Sequence, residues 1–386
     1  MMKKRVLFVL PSFEIGGTTV SVKNLILLLD KSKYDSTVLA MADTGSLQYL
    51  YDDVQQIPTS FLLRSLTVAS WKDQKTKIGV LASGFIRLIS RFNCVKHLLL
   101  KLAAKSVVCH NKYDVVVACQ EGICTHFVSQ VKNDNKVAWV RCDYIRYTNE
   151  TRCEEADIYA VFKNIICVSE IIKQKFCQVY PSYASKCWAI NNPQSDEFIR
   201  AQAKVDDHDA RFTKENVFTI VSIGRYNPIK RFSLIPEIAS KLVSQGLSFK
   251  WYVIGGGPKE EEMVVSNAIK KERVEDVVIQ LGIKTNPHYY IKNADLLVSL
   301  SSSEACPRVI NEAKILGTPL VCAHFDTIYE YITNDANGLV GSIDEIGGLI
   351  MVMMQDKKKY QRIVDNIKMF SFDNYDLLRK VDDVLN

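Results

Sequence analysis

Short runs of β-branched and aliphatic residues alternate along the chain with longer segments in which apolar residues recur every three or four positions. The short runs predict buried strands, and the longer segments predict helices that cover both faces of a parallel sheet. The first such unit joins the strand RVLFVL to a helix with one apolar stripe, formed by Val22, Leu25, Ile26 and Leu29. Further strands are predicted in the first half of the chain at STVLAMA, YDVVVACQ, KVAWVR and NIICVSE.

A second series of the same kind follows the polar segment SDEFIRAQAKVDDHDARFTK, whose Asp207 and Asp209 are interpreted as solvated. Its strands are predicted at VFTIVSIGR, FKWYVIGGGP, VVIQLGI, ADLLVSLSSSE, TPLVCAHF and GLVGS. A chain of 386 residues is also longer than one hydrophobic core usually supports. We therefore expect an α/β fold with two doubly wound, Rossmann-like domains, over 1–195 and 215–365, joined by a linker over 196–214.

Positive charge is concentrated in the first half. Residues 1–190 carry 25 Lys and Arg against 16 Asp and Glu, whereas the remaining residues carry 24 against 27. Between positions 61 and 112, ten basic residues are opposed by Asp73 alone, and the stretch SGFIRLISRFNCVKHLLLKLAAK adds large aliphatic faces. Such a surface suits an anionic bilayer, and a core helix with a solvated basic face is the alternative. We expect peripheral contact with an anionic membrane through 61–112.

No segment reaches the roughly 18 uninterrupted apolar residues of a spanning helix. The opening MMKKRVLFVLPSF is interpreted as a strand rather than a signal peptide, because its apolar run stops at Pro11 and no small-residue cleavage site follows. The eleven cysteines include no C-x-x-C pair and the six histidines no H-x-H or H-E-x-x-H pattern. We therefore expect a cytoplasmic chain with reduced, buried thiols and no metal site.

Two common nucleotide-binding fingerprints are missing. The pattern G-x-G-x-x-G fails at PSFEIGGT, and it fails again after Gly255, where Glu260 stands in the place of the third glycine. A P-loop is also absent. Nicotinamide chemistry and phosphoryl transfer of the nucleoside-triphosphatase type are therefore disfavoured. We predict no cofactor and no nucleic-acid partner.

Glycines nevertheless follow three predicted strands, in IGG at 15–17, IGR at 223–225 and IGGGP at 254–258. A glycine after a strand lets the backbone approach a ligand, and the next helix N-terminus offers N–H groups to a phosphate. At the carboxyl ends of strands in two domains, the three glycine segments together predict a cleft ligand that carries a diphosphate.

The segment GRYNPIKRF places Arg225 and Lys230 on either side of a turn made by Asn227 and Pro228. Two cations on one strand-to-helix loop can neutralise a diphosphate without a metal ion. Two surface bases beside a turn are the alternative.

Two glutamates, Glu304 and Glu312, lie eight positions apart in SSSEACPRVINEAKILGTP. Pro307 suits the first position of a helix that Gly317 ends, so Glu304 is predicted in the preceding loop and Glu312 more than a turn inside the helix. Eight helical residues would span about 12 Å, whereas glycosidase carboxylates stand roughly 5–9.5 Å apart. The spacing indicates two separate contacts to ligand hydroxyls rather than an acid–nucleophile pair.

Taken together, the motifs resemble the retaining family 4 glycosyltransferases of the GT-B architecture, also described as glycosyl transferases group 1. The similar segments are, in order, IGGTTVSVKNL, IICVSE, VSIGRYNPIKRF, YVIGGGP, VVIQLGI, YYIKNADLLVSLSSSEACPRVINEAKILGTPLV and NGLV. The resemblance covers nearly the whole chain, and it is strongest over 218–341. It implies an acceptor-binding first domain, a nucleotide-sugar-binding second domain facing it across a cleft, and a helix over 366–386 that crosses back to the first domain.

By this resemblance, Glu304 and Glu312 are the E-x7-E pair of the family, with Glu304 at the transferred sugar and Glu312 at the ribose hydroxyls. Arg225 and Lys230 hold the diphosphate and form the catalytic set with Glu304. No protein nucleophile is implied, because the acceptor hydroxyl attacks on the face that the leaving phosphate departs from, and that phosphate accepts its proton. The implied donor site also includes Gly16, Gly17, Gly224, Gly256, Ile283, Ala305, Cys306 and Pro307.

Two segments depart from the family's pattern. The usual E-G-F-P is E-A-C-P at 304–307, which puts the identity of the donor sugar in question. The usual W-x-H-x-D is W-V-R-C-D at 139–143, so Arg141 and Asp143 are candidate contacts to the acceptor or the sugar. Arg141 in place of a histidine favours an unusual, anionic donor sugar or weakened activity, and a neutral local substitution is the alternative.

We expect a metal-independent, retaining glycosyltransferase that moves a hexose-type unit from a nucleoside diphosphate sugar, most simply a UDP-sugar, to a hydroxyl. The expected acceptor is a saccharide or lipid-linked saccharide in surface polysaccharide biosynthesis. A nucleotide-sugar epimerase of the same architecture and a non-catalytic nucleotide-sugar-binding subunit remain open alternatives. A secreted two-lobed solute-binding protein is disfavoured, because no signal peptide is predicted.

Overall fold

A computed structural model of the chain describes residues 2–14, 16–67, 77–108, 113–151, 155–207, 209–213 and 217–386. The chain divides into two units, the first formed by 1–194 together with 373–386 and the second by 195–372. Each unit is built on one parallel sheet. Of the segments singled out in the sequence, Ile15, residues 68–76 and 109–112 of the basic segment, and residues 208 and 214 lie outside the described residues.

The first sheet has the strand order β3-β2-β1-β4-β5-β6-β7. The strands are β1 (Lys4–Leu10), β2 (Tyr34–Ala40), β3 (Gln55–Gln56), β4 (Val115–Ala118), β5 (Lys136–Val140), β6 (Asn164–Cys167) and β7 (Cys187–Ala189). The helices of this unit are α1 (Gly17–Leu28), α2 (Phe61–Thr67), α3 (Lys77–Ile89), α4 (Asn93–Val108), α5 (Ile123–Ser129), α6 (Tyr144–Thr151), α7 (Ala156–Ala160), α8 (Glu170–Val179) and, near the end of the chain, a helix over Asn374–Leu385. All five predicted strands are confirmed. The edge strands β3 and β7 were not predicted, because two or three residues leave no periodic signal.

Helix α1 is buried on more than the predicted stripe. Val22 and Leu25 are buried as expected, but Lys23 and Asn24 are buried beside them. Lys23 forms an ion pair with Asp53, and the Asn24 side chain donates to the carbonyl of residue 193 at 3.2 Å. These partners satisfy the polar groups, and so a helix beside a central strand can be enclosed on several sides.

The second sheet has the order β10-β9-β8-β11-β12-β13. Its strands are β8 (Phe218–Ile223), β9 (Phe249–Ile254), β10 (Val278–Gly282), β11 (Leu296–Ser299), β12 (Leu320–Ala323) and β13 (Leu339–Gly341), as predicted. The helices are α9 (Asp196–Gln202), α10 (Ile235–Ser244), α11 (Lys259–Glu272), α12 (Pro287–Asn293), α13 (Arg308–Leu316), α14 (Ile346–Gln355) and α15 (Lys357–Lys368), so that the helix over Asn374–Leu385 is α16. Short 3-10 turns in the two units lie at Gln48–Tyr51, Pro181–Lys186, Phe232–Leu234, Ile328–Glu330 and Ile343–Glu345.

Each face of the second sheet carries its own hydrophobic core. Ile220 and Trp251 belong to one core, and their chain neighbours Val221 and Tyr252 belong to the other. A strand that is buried on both faces needs apolar residues at nearly every position. This requirement explains why the continuous apolar runs of the sequence located these strands.

The segment expected to link the domains folds into the second unit as far as the structure describes it. Helix α9 lies in it, and Ile199, Ala203 and Phe212 contribute to one of the two cores. Asp209 is not merely solvated, since it pairs with Arg211 at 2.7 Å and with Lys284 at 2.6 Å. The hydrogen bond from Arg211, and then that from Lys284, holds the pKa of Asp209 below its ordinary value.

Helix α16 is part of the first unit. Its apolar face is buried at Leu377, Val381, Val384 and Leu385. The Asn164 side chain donates to the carbonyl of Val384 at 3.0 Å, which ties the helix to β6. The first unit is therefore assembled from both ends of the described chain.

Candidate functional site

The strand order of the second sheet reverses direction between β8 and β11, which are neighbours in the sheet. In doubly wound sheets such a reversal opens a crevice at the carboxyl ends of the strands, and ligands bind there. The loop after β8, residues 224–231, and the loop after β11, residues 300–307, meet at this point. The backbone N–H of Ser302 donates to the carbonyl of Ile229 at 2.9 Å.

An ion pair joins the two loops across the reversal. The Lys230 Nζ donates to the Glu304 Oε1, and both side chains are less than one-fifth exposed. The Ser301 hydroxyl donates to the same carboxylate oxygen at 2.8 Å, and the Thr327 hydroxyl donates to the carbonyl of Glu304 at 2.7 Å. The structure thus brings together two residues that are 74 positions apart and were both singled out in the sequence.

The predicted turn between Arg225 and Lys230 is present. The Lys230 N–H donates to Asn227 Oδ1 at 3.0 Å and to its carbonyl at 3.1 Å. Arg225 is exposed and makes no ion pair with any other described residue. One cation of the loop is therefore held against a carboxylate, and the other extends into solvent.

Glycines allow the loops after β8 and β9 to lie against each other. Gly255 has φ 144°, and a Cβ there would lie 1.8 Å from the carbonyl oxygen of Gly224. The Tyr226 N–H donates to the carbonyl of Gly256 at 3.0 Å. A Cβ on Gly224 would lie 3.0 Å from Lys230 Cε, so Gly224 also leaves room for that side chain. A side chain at Gly255 is excluded both by its conformation and by the neighbouring backbone.

Gly256 and Ile283 form an apolar surface at the same edge of the sheet. A Cβ on Gly256 would lie 2.6 Å from Ile283 Cγ1, and the Ile283 side chain is 61% exposed. An exposed aliphatic side chain over bare backbone suits the face of a flat ligand group.

The N-terminus of α11, which follows these glycines, does not suit a phosphate. Its first turn carries Glu260, Glu261 and Glu262, and Glu262 Oε1 already accepts the N–H of Gly257 at 3.0 Å. Three carboxylates at a helix N-terminus repel an anion. The expectation that a helix start would serve a phosphate is therefore wrong for this glycine segment.

Helix α13 is different. The sequence predicts Pro307 as the first helical residue. In the structure Pro307 is the N-cap residue, and the helix begins at Arg308. No side chain caps this N-terminus, and its first turn carries no acidic residue. The backbone of the preceding loop is fixed at Glu304 by Thr327 and at Ala305 by the Tyr331 hydroxyl, with Cys306 next to the N-cap. The positive end of α13 thus lies directly after Glu304.

Glu312 is placed inside α13, as predicted, and is only 6% exposed. The Arg308 guanidinium donates to Glu312 Oε1 at 2.7 Å, and His288 Nε2 lies 3.9 Å from the same oxygen, too far for a hydrogen bond. Burial alone would raise the pKa of Glu312, but Arg308 and the nearby His288 together outweigh burial and lower the pKa to about 2. Glu312 is therefore a buried, ionised hydrogen-bond acceptor.

Sequence reasoning missed both neighbours of Glu312. Arg308 stands four positions before Glu312 on the same helix, a spacing that brings side chains together and could have been noticed. His288 comes from α12, and no motif around it points to Glu312. Its Nε2 is buried and has no hydrogen-bond partner among the described residues.

The candidate residues of the first unit lie at the carboxyl ends of its own strands. Gly16 is the N-cap of α1, and Gly17 is its first residue. Arg141 follows β5 and donates to the carbonyl of Cys119 at 2.6 Å and to the Asn192 side chain. Asp143 forms an ion pair with Lys175.

Further contacts fix Arg141 in place. Its guanidinium lies 4.4 Å from the centroid of the Trp139 ring, and its backbone N–H donates to Glu121 Oε2 at 2.8 Å. Glu121 is buried, and burial raises the pKa of its carboxyl. Much of the hydrogen-bonding capacity of Arg141 is therefore used within the first unit.

In the described part of the chain, no group of three His, Cys, Asp or Glu side chains is placed to hold a metal ion. The nine described cysteines are free thiols. Five of them are buried, whereas Cys94 is exposed and Cys142, Cys177 and Cys306 are intermediate, so the expectation of buried thiols is only partly met.

Residues 204–370 match the sequence model of the family Glycosyl transferases group 1. They form a glycosyl transferases group 1 domain. This domain contains the ion pair of Lys230 with Glu304, the Gly255 turn and the buried Glu312.

Two curated relatives show similarity over part of the chain. One is N-acetyl-alpha-D-glucosaminyl L-malate synthase of Bacillus anthracis, 25% identical over 130 residues, which are 34% of this chain and 33% of the relative. The other is the poly(ribitol-phosphate) alpha-N-acetylglucosaminyltransferase of Staphylococcus aureus, 27% identical over 150 residues, which cover 33% of this chain and 30% of the relative. The matches thus span about a third of the length of these relatives.

Structural similarity extends over the whole chain. A crystal structure of HepE from Anabaena in complex with UDP and glucose matches with a TM-score of 0.75 and 16% sequence identity, over 98% of each chain. The chain therefore has the GT-B fold, with two Rossmann-like parallel-sheet domains, and the predicted fold class is confirmed.

Proposed function

We propose that this chain is a retaining family 4 glycosyltransferase that moves a hexose-type sugar from a UDP-sugar to a hydroxyl of a saccharide or lipid-linked saccharide. The observation that carries the proposal is the ion pair of Lys230 with Glu304. It spans the reversal of strand order inside a glycosyl transferases group 1 domain. At that point a cation can bind the diphosphate of a nucleotide sugar, and a carboxylate can accept hydrogen bonds from its sugar hydroxyls.

Cleavage of the glycosidic bond leaves negative charge on the diphosphate, and preorganised cations stabilise such charge in the transition state. Arg225 is exposed on the loop after β8 and forms no ion pair within the described part of the chain, and Lys230 is about four-fifths buried in the same loop. The uncapped N-terminus of α13 adds a partial positive charge close by. We infer that these groups hold the diphosphate and that no metal ion is required.

Glu304 is oriented by Lys230 and Ser301 before any sugar reaches it. A carboxylate accepts hydrogen bonds from sugar hydroxyls, and one that is already fixed loses little conformational entropy on binding. We assign Glu304 to the transferred sugar and no residue to a covalent intermediate. Retention then follows from attack by the acceptor hydroxyl on the face that the diphosphate leaves.

Glu312 suits the ribose of the nucleotide. Its carboxylate stays ionised inside the protein because of Arg308 and His288, so it accepts hydrogen bonds and donates none. The 2′- and 3′-hydroxyls of ribose are two adjacent donors of the complementary kind. Ile283 above Gly256 would cover the base.

The comparisons support the choice of substrates. The matched structure of HepE contains UDP and glucose, which favours UDP over other nucleotides. One relative is named for transfer to poly(ribitol-phosphate), which favours a polymeric acceptor and a place in surface polysaccharide assembly. We propose that Gly16 and Gly17 contact the donor and that Arg141 and Asp143 contact the acceptor or the sugar.

The first test is thermal unfolding with UDP, GDP and ADP, on the wild type and on Arg225→Ala/Lys230→Ala. A nucleotide at 100 times its dissociation constant adds about 2.7 kcal/mol. That corresponds to a shift of roughly 5–10 °C for a domain of this size. Lys357→Ala/Lys358→Ala, in exposed positions of α15, is the matched control. Stabilisation of wild type and control but not of the site variant supports the proposal, and no stabilisation by any nucleotide contradicts it.

The second test examines the stereochemistry. NMR of the product formed from an α-linked UDP-sugar should show an α anomeric signal. A β product contradicts retention but leaves the donor site intact. Formation of an epimeric UDP-sugar without acceptor would identify an epimerase instead.

A further inference from the structure

Helix α3 directs two polar side chains toward α2 and leaves its most exposed side to large apolar residues. Ser83 is buried, and its hydroxyl forms a hydrogen bond of 2.8 Å with that of Ser65 on α2. Arg87 Nε donates to the carbonyl of Ser65 at 3.1 Å. The side of α3 that contacts α2 therefore includes polar groups, whereas the exposed side of an ordinary surface helix is the polar one.

The outward side of α3 is a continuous apolar surface, which we name the α3 stripe. Its five side chains are 57–80% exposed and are spaced by three, four, three and four positions, so that they lie on one face. They are Ile78, Leu81, Phe85, Leu88 and, just past the helix end, Phe92. The alternative considered for this segment, a core helix with a solvated basic face, does not describe α3.

Helix α4 adds a second surface of mixed character. Leu98 and Leu102 are 55% and 50% exposed, and the exposed Lys101 and Lys105 share their side of the helix. The sequence contains no Asp or Glu from Lys77 to Lys112. Positive charge on α3 and α4 is therefore not opposed by any acidic residue of their own segment.

An exposed apolar stripe of this size calls for an apolar partner, since removing such side chains from water is the main driving force of association. If a second copy of the chain covered the stripe, the cations of the two copies would approach and repel each other. The segment contains no acidic residues that could reduce this repulsion. An anionic bilayer offers an apolar interior below a negative surface and complements both features.

We propose that the α3 stripe inserts into the surface of an anionic bilayer, with Lys101 and Lys105 of α4 bound to lipid phosphates. Thirteen residues of helix span about 20 Å, less than the roughly 30 Å of a hydrocarbon core. Among the described residues, no helix is both long and apolar enough to cross a membrane. The stripe therefore lies in the plane of the interface. This inference does not depend on the proposed sugar transfer.

The test is flotation of the full chain with phosphatidylcholine vesicles, with and without phosphatidylglycerol. Wild type should float with the anionic vesicles only. Leu81→Ser/Phe85→Ser should lower the partition coefficient at least about tenfold, because two large apolar side chains are lost from the interface. The control is Met263→Ser/Val264→Ser on α11, where the side chains are 60% and 51% exposed, and it should float like wild type.

The charge is tested separately. Lys101→Gln/Lys105→Gln should weaken binding about fivefold for each cation near the surface at low salt. Lys357→Gln/Lys358→Gln should leave binding unchanged. Added salt should weaken wild type more than the lysine variant.

Three results would overturn the inference. These are equal flotation of wild type and the stripe variant, no binding of wild type to anionic vesicles, and a wild-type dimer in sedimentation that the stripe variant abolishes. Circular dichroism shows whether the stripe variant is folded. Its thermal shift with UDP should equal that of wild type, so a failure of membrane binding is distinguishable from a failure of the donor site.

Discussion

The two units use the same parallel-sheet design but distribute their charged and apolar side chains in opposite ways. In the second unit, Lys230 is paired with Glu304 and Arg308 with Glu312 at the carboxyl edge of the sheet, and only Arg225 of the proposed site's cations is exposed. In the first unit, the segment that forms α3 and α4 contains basic but no acidic residues, and α3 carries the exposed apolar stripe.

This difference indicates two kinds of ligand. Paired and partly buried charges with fixed geometry suit a small polar molecule that must be held to within fractions of an ångström. Cations in a segment that lacks acidic residues, together with an apolar face, suit an extended surface that requires no defined register.

The largest effect is expected for the loop after β8. Arg225→Ala/Lys230→Ala should lower kcat/KM about 10³-fold or more, because the variant lacks the two cations that would stabilise the negative charge developing on the leaving diphosphate. Steady-state kinetics with a UDP-sugar measures this loss. Lys357→Ala/Lys358→Ala should behave as wild type, and a similar loss in that control would refute a specific role for the loop.

A large loss of stability, caused by the backbone conformation, is expected at Gly255. Gly255→Ala should destabilise the second unit by about 4 kcal/mol, because the residue has φ 144° and its Cβ would lie 1.8 Å from the Gly224 carbonyl oxygen. Gly348→Ala on α14, where a Cβ meets nothing within 4 Å, should instead stabilise by about 0.5–1 kcal/mol. Urea unfolding distinguishes these outcomes, and destabilisation in both variants would point to a general intolerance of glycine substitution.

Acid should weaken the second unit through Glu312. Its pKa falls from 4.5 to about 2 on folding, so its contribution of about 3 kcal/mol is present above pH 5 and is lost as the pH falls toward 2. Glu312→Gln should be less stable than wild type at pH 7, and this difference should shrink as the pH falls. Unfolding at a series of pH values measures it. The exposed Glu260→Gln should show no such trend, and a pH-independent difference for Glu312→Gln would contradict the assignment.

The smallest effect on stability is expected on the α3 stripe. Leu81→Ser/Phe85→Ser should change the free energy of unfolding by no more than about 0.5 kcal/mol per site, since both side chains are mostly exposed. The fully buried Leu297 on β11 provides the contrast, because Leu297→Ser should cost at least about 3 kcal/mol. A large loss from the stripe variant would mean that the stripe supports the fold.

Much of the second unit could be predicted because its strands are buried on both faces and leave long apolar runs. The placement of Glu304 before α13 and of Glu312 within it followed from Pro307 and Gly317. The sequence predicts a linker over 196–214 because the core residues of this segment, among them Ile199 and Phe212, are sparse within a polar stretch. Local periodicity cannot identify a core contribution of that kind.

Other features depend on tertiary contacts that no local pattern encodes. The pairing of Lys230 with Glu304 joins loops 74 residues apart, and it arises only when β8 and β11 become neighbours. His288 carries no signal at all. For α3, the sequence showed an amphipathic helix but not which side faces the protein, because the same spacing serves a core helix and a membrane-surface helix.

The position of α16 has a consequence for biosynthesis. The second unit is a continuous stretch, 195–372, whereas the first also needs 373–386, which supply the buried Val381 and Val384. As the ribosome extends the chain, the second unit can complete its fold while the first still lacks a helix. Domains usually mature in the order in which they are synthesised. Here the apolar surface that α16 covers in the first unit stays exposed until residues 373–386 have been synthesised. During that interval the nascent first unit is most prone to aggregation.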